Sequence, residues 1–491
     1  MAKLTKIFEY LSNVIRTRFN RPSAPSTMYL RALTILLVLF HIVFLYAQID
    51  AGPGVFMTIG KGILDGQLPY IDYYDHKPPG IYLTLASSFS IFESPVSAKL
   101  LVFLVNLTSA EIVRRISSYL EGPKFGLIAT IFFLSGSLVY GGPHVYSTPF
   151  VAFFGLLATA GLLFWNWRRS RRYLFIAGLF TGISTVFKQT ALAFFAAFVV
   201  YLLLVNSKRL NRRGIWLDLV VFLGGFTVLF IPILMFYHHQ DALDSLFYWT
   251  VFIHFVPRTY GGDPFSILVE NIREINNFPL LWAGAVIGMI SSIRRHVKEE
   301  IRLISIVVIA GITPMFLHGW GYYYLQALPF GAILCAYGLK KSWVSFRPIA
   351  SSSDVKVAIV VILLIMLLPF GQTLAWVTTD QIIRYNLTDD KQIGKRVNLQ
   401  TAPDEPILVL GEEAEIYFLA DRKPMSPHLY YLTINRHLYS ETNIIQTINQ
   451  KSVTTVVIGK PCQTEISRVC TFVRSRFTLV ERNNHMEIYS R

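Results

Sequence analysis

Charged residues are scarce in this chain of 491 residues. They account for 15% of the chain, whereas a soluble protein of this size normally carries about 25%. Hydrophobic residues account for 53%, and the mean hydropathy is +0.46. This balance argues against a soluble globular protein, and the sequence predicts a polytopic membrane protein.

Cysteine is also scarce, with three residues in the chain and no Cys-x-x-Cys pair or metal-binding cluster. Cys335 lies inside an apolar run and is expected to be a packing residue. Cys462 and Cys470 lie close together near the C-terminus. If that region is outside the cytoplasm, the two could form a disulfide; two unpaired thiols are the alternative.

A cleavable signal peptide is not evident. Residues 1–21 are basic, and the first long apolar run, which begins near Tyr29, has no suitable small-residue cleavage site. We expect this run to remain as an anchor with its basic flank in the cytoplasm. The sequence also lacks internal repeats, and with them the repeated halves that many transporters show.

About eleven apolar runs are candidates to cross a bilayer, which requires roughly 17–25 residues per helix. The first extends from Tyr29 to Gln48, and the others centre on Phe103, Phe132, Leu156, Leu179, Phe198, Leu223, Val286, Val307, Ile333 and Leu363. Basic clusters such as Arg168–Arg172 flank these runs, which is typical of cytoplasmic loops rather than of a nucleic-acid-binding surface. The resulting alternation places the following segments on the outer face: 49–96, 141–149, 188–189, 238–279, 318–322 and everything after about Thr378.

Two segments of this arrangement need a separate interpretation. The run Ile81–Phe92 is too short to span, and counting it as a span would move Arg114 and Arg115 to the outer face. We therefore expect it to be a helix at the outer surface. Lys188 lies between two short apolar runs; a tight outer hairpin is one interpretation, and a lysine buried within a long bent helix pair is the other.

The tail, residues 379–491, has a different character. Its apolar runs are short, at 406–411, 452–459, 477–481 and 485–489, and helix-like segments lie between them. Short apolar strands that alternate with helices predict a small α/β domain with a mixed sheet.

The predicted outer loops gather ionisable and aromatic residues. The stretch Gly66–Gly80 alone holds two Asp, one His, one Lys and three Tyr. Charged groups beside a bilayer are costly to desolvate, so these residues are candidates for a functional site. Lysine and arginine could hold a phosphate, an aspartate could take a proton from a hydroxyl, and tyrosines offer flat surfaces for sugar rings. Glycosyl transfer from a lipid-phosphate sugar fits this inventory; an interfacial loop with tyrosines at the headgroup level is the alternative.

Residues Tyr70–Leu83, which follow Gly62–Gly66, resemble the first outer loop of the GT-C glycosyltransferases. The resemblance is to the branch that includes the protein O-mannosyltransferases and the lipid A aminoarabinose transferases. Val186–Thr190, Tyr323–Pro329 and Glu413–Tyr417 resemble later segments of bacterial members. The resemblance implies an inverting transfer of a sugar from a polyprenyl phosphate to an acceptor on the outer face.

The resemblance also implies roles for particular residues. It matches Asp50 to the catalytic acid of the family and Lys77 to the lysine that contacts the carrier phosphate. The family often has Asp-Glu where this chain has Asp50-Ala51, which leaves Asp72 or Asp75 as an alternative base. The other residues expected to contact substrate are Tyr74, His76, Lys188, Arg258, Tyr260, Tyr324 and Gln326.

The sequence thus predicts a mainly α protein: a GT-C-like helix bundle at 29–378 after a cytoplasmic segment at 1–28, with a small extracytoplasmic α/β domain at 379–491. We expect a glycosyltransferase of the cytoplasmic membrane whose partners are the bilayer, a polyprenyl-phosphate sugar and a glycolipid, polysaccharide or protein acceptor, with no nucleic acid. A flippase for a lipid-linked saccharide is the alternative. No cofactor is firmly implied; His76 and Asp75 as ligands of a divalent metal are a minor alternative.

Overall fold

The computed structural model describes residues 25–491, apart from gaps at 48, 50, 207–211, 257–262, 294–297, 317–318, 347–370, 373–374, 376–378, 380–389, 432–438, 452, 460–465 and 483–485. Helices dominate the part before residue 347. In chain order they are α1 Pro25–Val43, α2 Ala51–Leu64, α3 Gly80–Phe89, α4 Pro95–Glu121, α5 Pro123–Val139, α6 Ser147–Arg168, α7 Arg172–Phe187, α8 Leu192–Asn206, α9 Arg212–Thr227, α10 Phe230–His239, α11 Leu243–Thr250, α12 Pro264–Asn277, α13 Pro279–Ser292, α14 Glu299–Ile312 and α15 Tyr324–Phe346.

Three helical segments of the described residues are long and apolar enough to cross a membrane: Thr27–Tyr46, Pro95–Glu121 and Ser147–Arg168. The number rises to five if each of two bent helix pairs forms one span. Large apolar side chains on these and other helices are exposed to the surroundings, as expected where lipid rather than protein surrounds a helix. The protein is a membrane protein, and the total of about eleven spans stays a prediction.

The bent pairs replace two of the straight spans that the sequence suggests. The apolar run around Leu223 continues beyond α9 into α10 with a bend of 40°, and α12 meets α13 at 98°. The predicted outer loop at 238–279 also contains two helices, α11 and α12, that hydropathy does not reveal. The predicted span around Leu363 lies outside the described residues. The short run at 81–92 forms the ten-residue α3, and its position at the outer surface stays a prediction.

Close backbone contact holds two of the apolar helices together. A Cβ atom at Gly178 in α7 would lie 2.0 Å from the carbonyl oxygen of Phe222, and one at Gly225 in α9 would lie 2.1 Å from the carbonyl oxygen of Phe175. Glycine at both positions therefore lets α7 and α9 approach more closely than any larger residue would allow, a common arrangement between membrane helices.

The tail contains the predicted mixed sheet. Its strands are β1 Leu408–Leu410, β2 Thr455–Ile458, β3 Thr478–Arg482 and β4 Glu487–Ser490, in the spatial order β1-β2-β4-β3. The β1–β2 pair is parallel and the other two pairs are antiparallel. Helices α16 Asp390–Gln400, α17 Glu415–Ala420, α18 Glu441–Gln450 and α19 Ser467–Arg476 complete this part. Its boundary at 379 and its location outside the membrane stay predictions.

The tail packs directly on α2. A Cβ atom at Gly54 would lie 2.5 Å from the backbone nitrogen of Glu415, and the Thr58 hydroxyl donates to the carbonyl oxygen of Ala414 at 3.4 Å. Lys61 forms ion pairs with both Glu93 and Asp421. The tail is thereby positioned over the loop that follows α2.

Candidate functional site

The loop between α2 and α3 has a fixed internal structure. The backbone N–H of Leu68 donates to the Asp72 carboxylate at 2.7 Å, and the N–H of Tyr70 donates to the carbonyl oxygen of Tyr73 at 2.8 Å. Tyr70 adopts a φ of 73°, a left-handed conformation that is uncommon for a bulky residue and is held in place by its surroundings. The loop therefore presents the next residues, 74–77, in a defined orientation.

Asp75 is the buried anchor of this loop. Its carboxylate accepts hydrogen bonds from the backbone N–H of His76 at 2.7 Å and from the Tyr82 hydroxyl at 2.6 Å, and the His76 Nδ1 lies 3.1 Å away. Burial alone would raise the pKa of Asp75, but His76, Lys77 and the Tyr82 hydroxyl together lower it well below its usual range. Asp75 is therefore ionised, and its oxygens are engaged by neighbouring donors.

Lys77 and Lys188 lie close to each other although 111 positions separate them. Lys77 Nζ contacts His76 Nε2, and its carbonyl oxygen accepts a hydrogen bond from the Tyr70 hydroxyl at 2.7 Å. Burial lowers the pKa of Lys188 well below its usual value, and the charge of Lys77 lowers it further. Two cations that repel each other in a partly buried site favour the binding of an anion between them.

Lys188 lies in a short turn between α7 and α8 and is buried there, as the second of the two interpretations expects. The location of this turn on the outer face stays a prediction. The Lys188 side chain is 3% exposed, and its Nζ donates to the Thr148 hydroxyl at 3.2 Å. The same Nζ lies 3.7 Å from the ring centre of Tyr323 and 5.0 Å from that of Tyr322. Within the described part of the chain, no carboxylate lies within ion-pair distance of Lys188. The lysine is therefore held by aromatic faces and a hydroxyl rather than by a counter-charge.

Two glutamines tie this turn to the rest of the site. Gln189 Nε2 donates to the carbonyl oxygens of His76 at 2.7 Å and Thr250 at 2.8 Å. Gln326 is fully buried, and its side-chain amide bonds Thr190 twice, at 2.9 Å and 3.1 Å. Gln326 thus holds the backbone at Thr190, directly after the turn that carries Lys188.

Tyr324 faces a different set of partners. Its hydroxyl lies 3.0 Å from the carbonyl oxygen and 3.1 Å from the side-chain oxygen of Asn271, and its ring stacks on Tyr140 with centres 5.1 Å apart. Tyr322 and Tyr323 are the tyrosines of this segment that contact Lys188. Asp50, Arg258 and Tyr260 lie outside the described residues.

The start of α2 lies near the tyrosines that surround Lys188. A Cβ atom at Gly52, two positions after Asp50, would lie 3.8 Å from the ring of Tyr146. Tyr146 in turn stacks on Tyr322 with ring centres 4.8 Å apart. The start of α2 therefore lies beside the aromatic residues that surround Lys188.

The structure also brings in residues that the sequence does not single out. The carbonyl oxygen of Pro427 accepts a hydrogen bond from the N–H of Tyr74 at 2.8 Å, and the His428 ring meets the Tyr74 ring edge-on at 5.0 Å. The ring of Trp249 stacks on that of Tyr74, with ring centres 4.5 Å apart. The cluster of aromatic residues at 428–431 is the only signal in the sequence, and nothing there indicates a contact with a loop more than 350 positions earlier.

Within the described ranges, no group of three or more His, Cys, Asp or Glu side chains is arranged to hold a metal ion. His76 contacts Asp75, and the rings of His76 and His254 lie 5.6 Å apart, centre to centre.

Comparisons with solved structures identify the fold. No protein-family model matches the chain, and no curated protein matches it in sequence. The structure is similar to that of ArnT from Cupriavidus metallidurans bound to undecaprenyl phosphate, with a TM-score of 0.63 and 14% identity over 94% of this chain and 97% of ArnT. It is also similar to the oligosaccharyltransferase AglB from Archaeoglobus fulgidus in complex with an inhibitory peptide and a dolichol-phosphate, with a TM-score of 0.60 and 13% identity over 92% of this chain and 71% of AglB. Both are GT-C membrane glycosyltransferases, so the predicted GT-C resemblance is confirmed at the level of the fold.

Proposed function

We propose that this protein transfers a sugar from a polyprenyl-phosphate donor to an acceptor hydroxyl. The observation that carries the proposal is the pair of lysines, Lys77 and Lys188, which converge beside His76 in a chain with the fold of ArnT and AglB. The structures of those two proteins contain undecaprenyl phosphate and dolichol-phosphate, respectively. A phosphate between the two lysines would relieve their mutual repulsion and satisfy both charges.

In the proposed reaction the acceptor oxygen attacks the anomeric carbon of the donor sugar. The bond between that carbon and the phosphate oxygen breaks, and its electron pair leaves with the polyprenyl phosphate. Lys77 and Lys188 stabilise the negative charge that develops on the phosphate, so this leaving group needs no proton. Arg258 is proposed as a further cation for the same phosphate.

Asp50 is the proposed base that takes the proton of the acceptor hydroxyl. Asp75 suits that task poorly, because its lowered pKa makes it a weak base and its oxygens already accept hydrogen bonds from His76 and Tyr82. We assign to Asp75 the role of positioning His76 and Lys77. Asp50 is the candidate that remains, because the resemblance to the GT-C enzymes matches it to the catalytic acid of the family.

We infer that the site faces the outside of the cytoplasmic membrane. Cys470 is disulfide-bonded, whereas Cys335 is free and buried, and disulfides persist in oxidising compartments. This supports a tail outside the cytoplasm, the orientation that the basic loops predict. Because the tail packs on α2 and on Tyr74, the lysine pair lies on the tail's side of the membrane.

The test uses purified protein in lipid nanodiscs with a panel of radiolabelled polyprenyl-phosphate sugars. We expect the wild type to release polyprenyl phosphate from one donor, and Lys77→Met and Lys188→Met to release it at least tenfold more slowly, a loss of about 1.4 kcal/mol in transition-state stabilisation. Lys124→Met, which changes an exposed lysine at the start of α5, is the matched control and should behave like wild type. Movement of intact donor across reconstituted vesicles without release would instead support a flippase.

A further inference from the structure

The segment 427–431 is fixed between the tail and the first outer loop. The N–H of Tyr431 donates to the carbonyl oxygen of Gly411 at 2.9 Å, and the Tyr431 hydroxyl lies 3.1 Å from the Ser426 hydroxyl. On the other side, the carbonyl oxygen of Pro427 accepts the N–H of Tyr74 at 2.8 Å. The side chains of His428 and Tyr430 are therefore held at the boundary between the two parts of the protein.

These side chains extend the aromatic surface of the site. Tyr431 belongs to the core inside the tail, whereas the half-buried Tyr430 packs against the larger core that the helical part and the tail share. Burial raises the pKa of Tyr322, and the neighbouring Tyr323, Tyr146 and Tyr430 raise it further, so Tyr430 lies near Tyr322. His428 contacts Tyr74, so the tail brings two aromatic side chains to this side of the site. We call Tyr74, His428 and Tyr430 the aromatic wall.

The wall differs in charge from the phosphate side of the site. Burial lowers the pKa of His428 to about 4, so its imidazole is neutral at physiological pH. Tyr74 and Tyr430 each add an aromatic ring with a hydroxyl that can donate or accept a hydrogen bond. Aromatic faces with neutral polar tips suit the apolar face and the hydroxyl groups of a sugar ring, whereas a phosphate would be better served by cations.

We propose that Tyr74, His428 and Tyr430 form a subsite for a neutral saccharide that carries the acceptor hydroxyl. The inference rests on the proposed function, because it assigns to the acceptor the side of the site opposite the carrier phosphate. It narrows the acceptor class to a sugar ring, in a glycolipid or a polysaccharide, and it makes the tail part of acceptor recognition.

The experiment measures binding without any transfer. Maltotriose, mannotriose and chitotriose are titrated against the full-length protein in nanodiscs by saturation-transfer NMR, and undecaprenyl phosphate is titrated separately. We expect at least one trisaccharide to bind the wild type. Tyr430→Ala should weaken that binding tenfold or more, about 1.4 kcal/mol, because a stacking surface for the ring is lost, while the affinity for undecaprenyl phosphate changes by less than about twofold.

Two further variants make the result decisive. Tyr430→Phe retains the ring and should keep trisaccharide affinity within about threefold of wild type, as stacking rather than the hydroxyl dominates. Tyr119→Ala removes an exposed tyrosine that packs on Trp167, far along α4, and should bind like wild type. The proposal is overturned if no trisaccharide binds the wild type, if Tyr430→Ala binds like wild type, or if it loses sugar and carrier together. Trisaccharide binding in a wild type that transfers nothing would leave the subsite standing and refute only the proposed reaction.

Discussion

Replacing Lys188 by methionine should weaken carrier binding without destabilising the protein. The lysine is buried beside Lys77, with the Tyr323 ring and the Thr148 hydroxyl as its partners. A charge-assisted hydrogen bond to a phosphate contributes about 1.5–3 kcal/mol. We therefore expect undecaprenyl phosphate to bind Lys188→Met roughly 10- to 150-fold more weakly.

The stability of the empty protein should respond in the opposite sense. The substitution removes a contact between a cation and an aromatic ring, which contributes about 2 kcal/mol when desolvated. It also removes the cost of burying a charge to which the described residues supply no carboxylate partner, and this cost amounts to several kcal/mol. The melting temperature of Lys188→Met should thus equal or exceed that of wild type.

The pH dependence follows from the lowered pKa of Lys188. The unfolded chain holds this proton up to pH of about 10.4, whereas the folded protein releases it at lower pH, so stability rises with pH between the two values. A bound phosphate favours the charged form, and carrier affinity should fall as pH rises through the same window. Both trends should be absent from Lys188→Met.

The assay is titration of undecaprenyl phosphate in nanodiscs, together with thermal melts at several pH values, for wild type, Lys188→Met and Lys124→Met. A Lys188→Met protein with wild-type carrier affinity and a lower melting temperature would contradict a role of Lys188 in phosphate binding. The lysine would then be a packing element held by Tyr323.

Three other substitutions test neighbouring parts of the account. Asp75→Asn should lower the melting temperature at neutral pH. Because the pKa of Asp75 is lowered in the folded protein, its ionised form stabilises the fold above pH of about 3.9, and this stabilisation fades as pH falls below that value. Equal melting temperatures of wild type and variant at pH 7 would contradict this. Gly54→Ala should loosen the tail, since a Cβ there would lie 2.5 Å from the backbone of Glu415, at a cost of about 1–3 kcal/mol, and limited proteolysis should release the tail faster than in Gly224→Ala, where the added methyl meets open space. Cys470→Ser should lower the stability of the tail by about 2–5 kcal/mol, measured by chemical denaturation, and an unchanged midpoint would mean that the disulfide does not form.

Periodicity and composition predict the elements whose signal is local. The apolar runs around Phe103 and Leu156 become α4 and α6, and the short apolar runs of the tail become the strands of a mixed sheet. The shortness of the run at 81–92 likewise predicts a helix that cannot span by itself. The helices α11 and α12 were missed because an amphipathic or short helix carries too little apolar sequence to stand out in a hydropathy scan.

The site depends on contacts that are distant in sequence. The Lys-Pro-Pro segment points to Lys77, and the segment resemblance at 186–190 points to Lys188, but no pattern in the sequence indicates that the two lysines are neighbours. Substrate contact by Tyr324 and Gln326 rests on their segment and stays a prediction. In the structure the Tyr324 hydroxyl lies beside Asn271, its ring stacks on Tyr140, and Gln326 is bonded to Thr190. Which face of a helix a residue occupies decides such roles, and a motif alone does not fix it.

The most direct test of the central claim is the release of polyprenyl phosphate from a radiolabelled donor by wild type and by Asp50→Asn. We expect the wild type to release polyprenyl phosphate and to label a sugar acceptor. Asp50→Asn should lose transfer with unchanged undecaprenyl phosphate affinity, because only the base is removed. Full transfer activity in Asp50→Asn, with Asp75→Asn folded but inactive, would move the base to Asp75 and contradict the account.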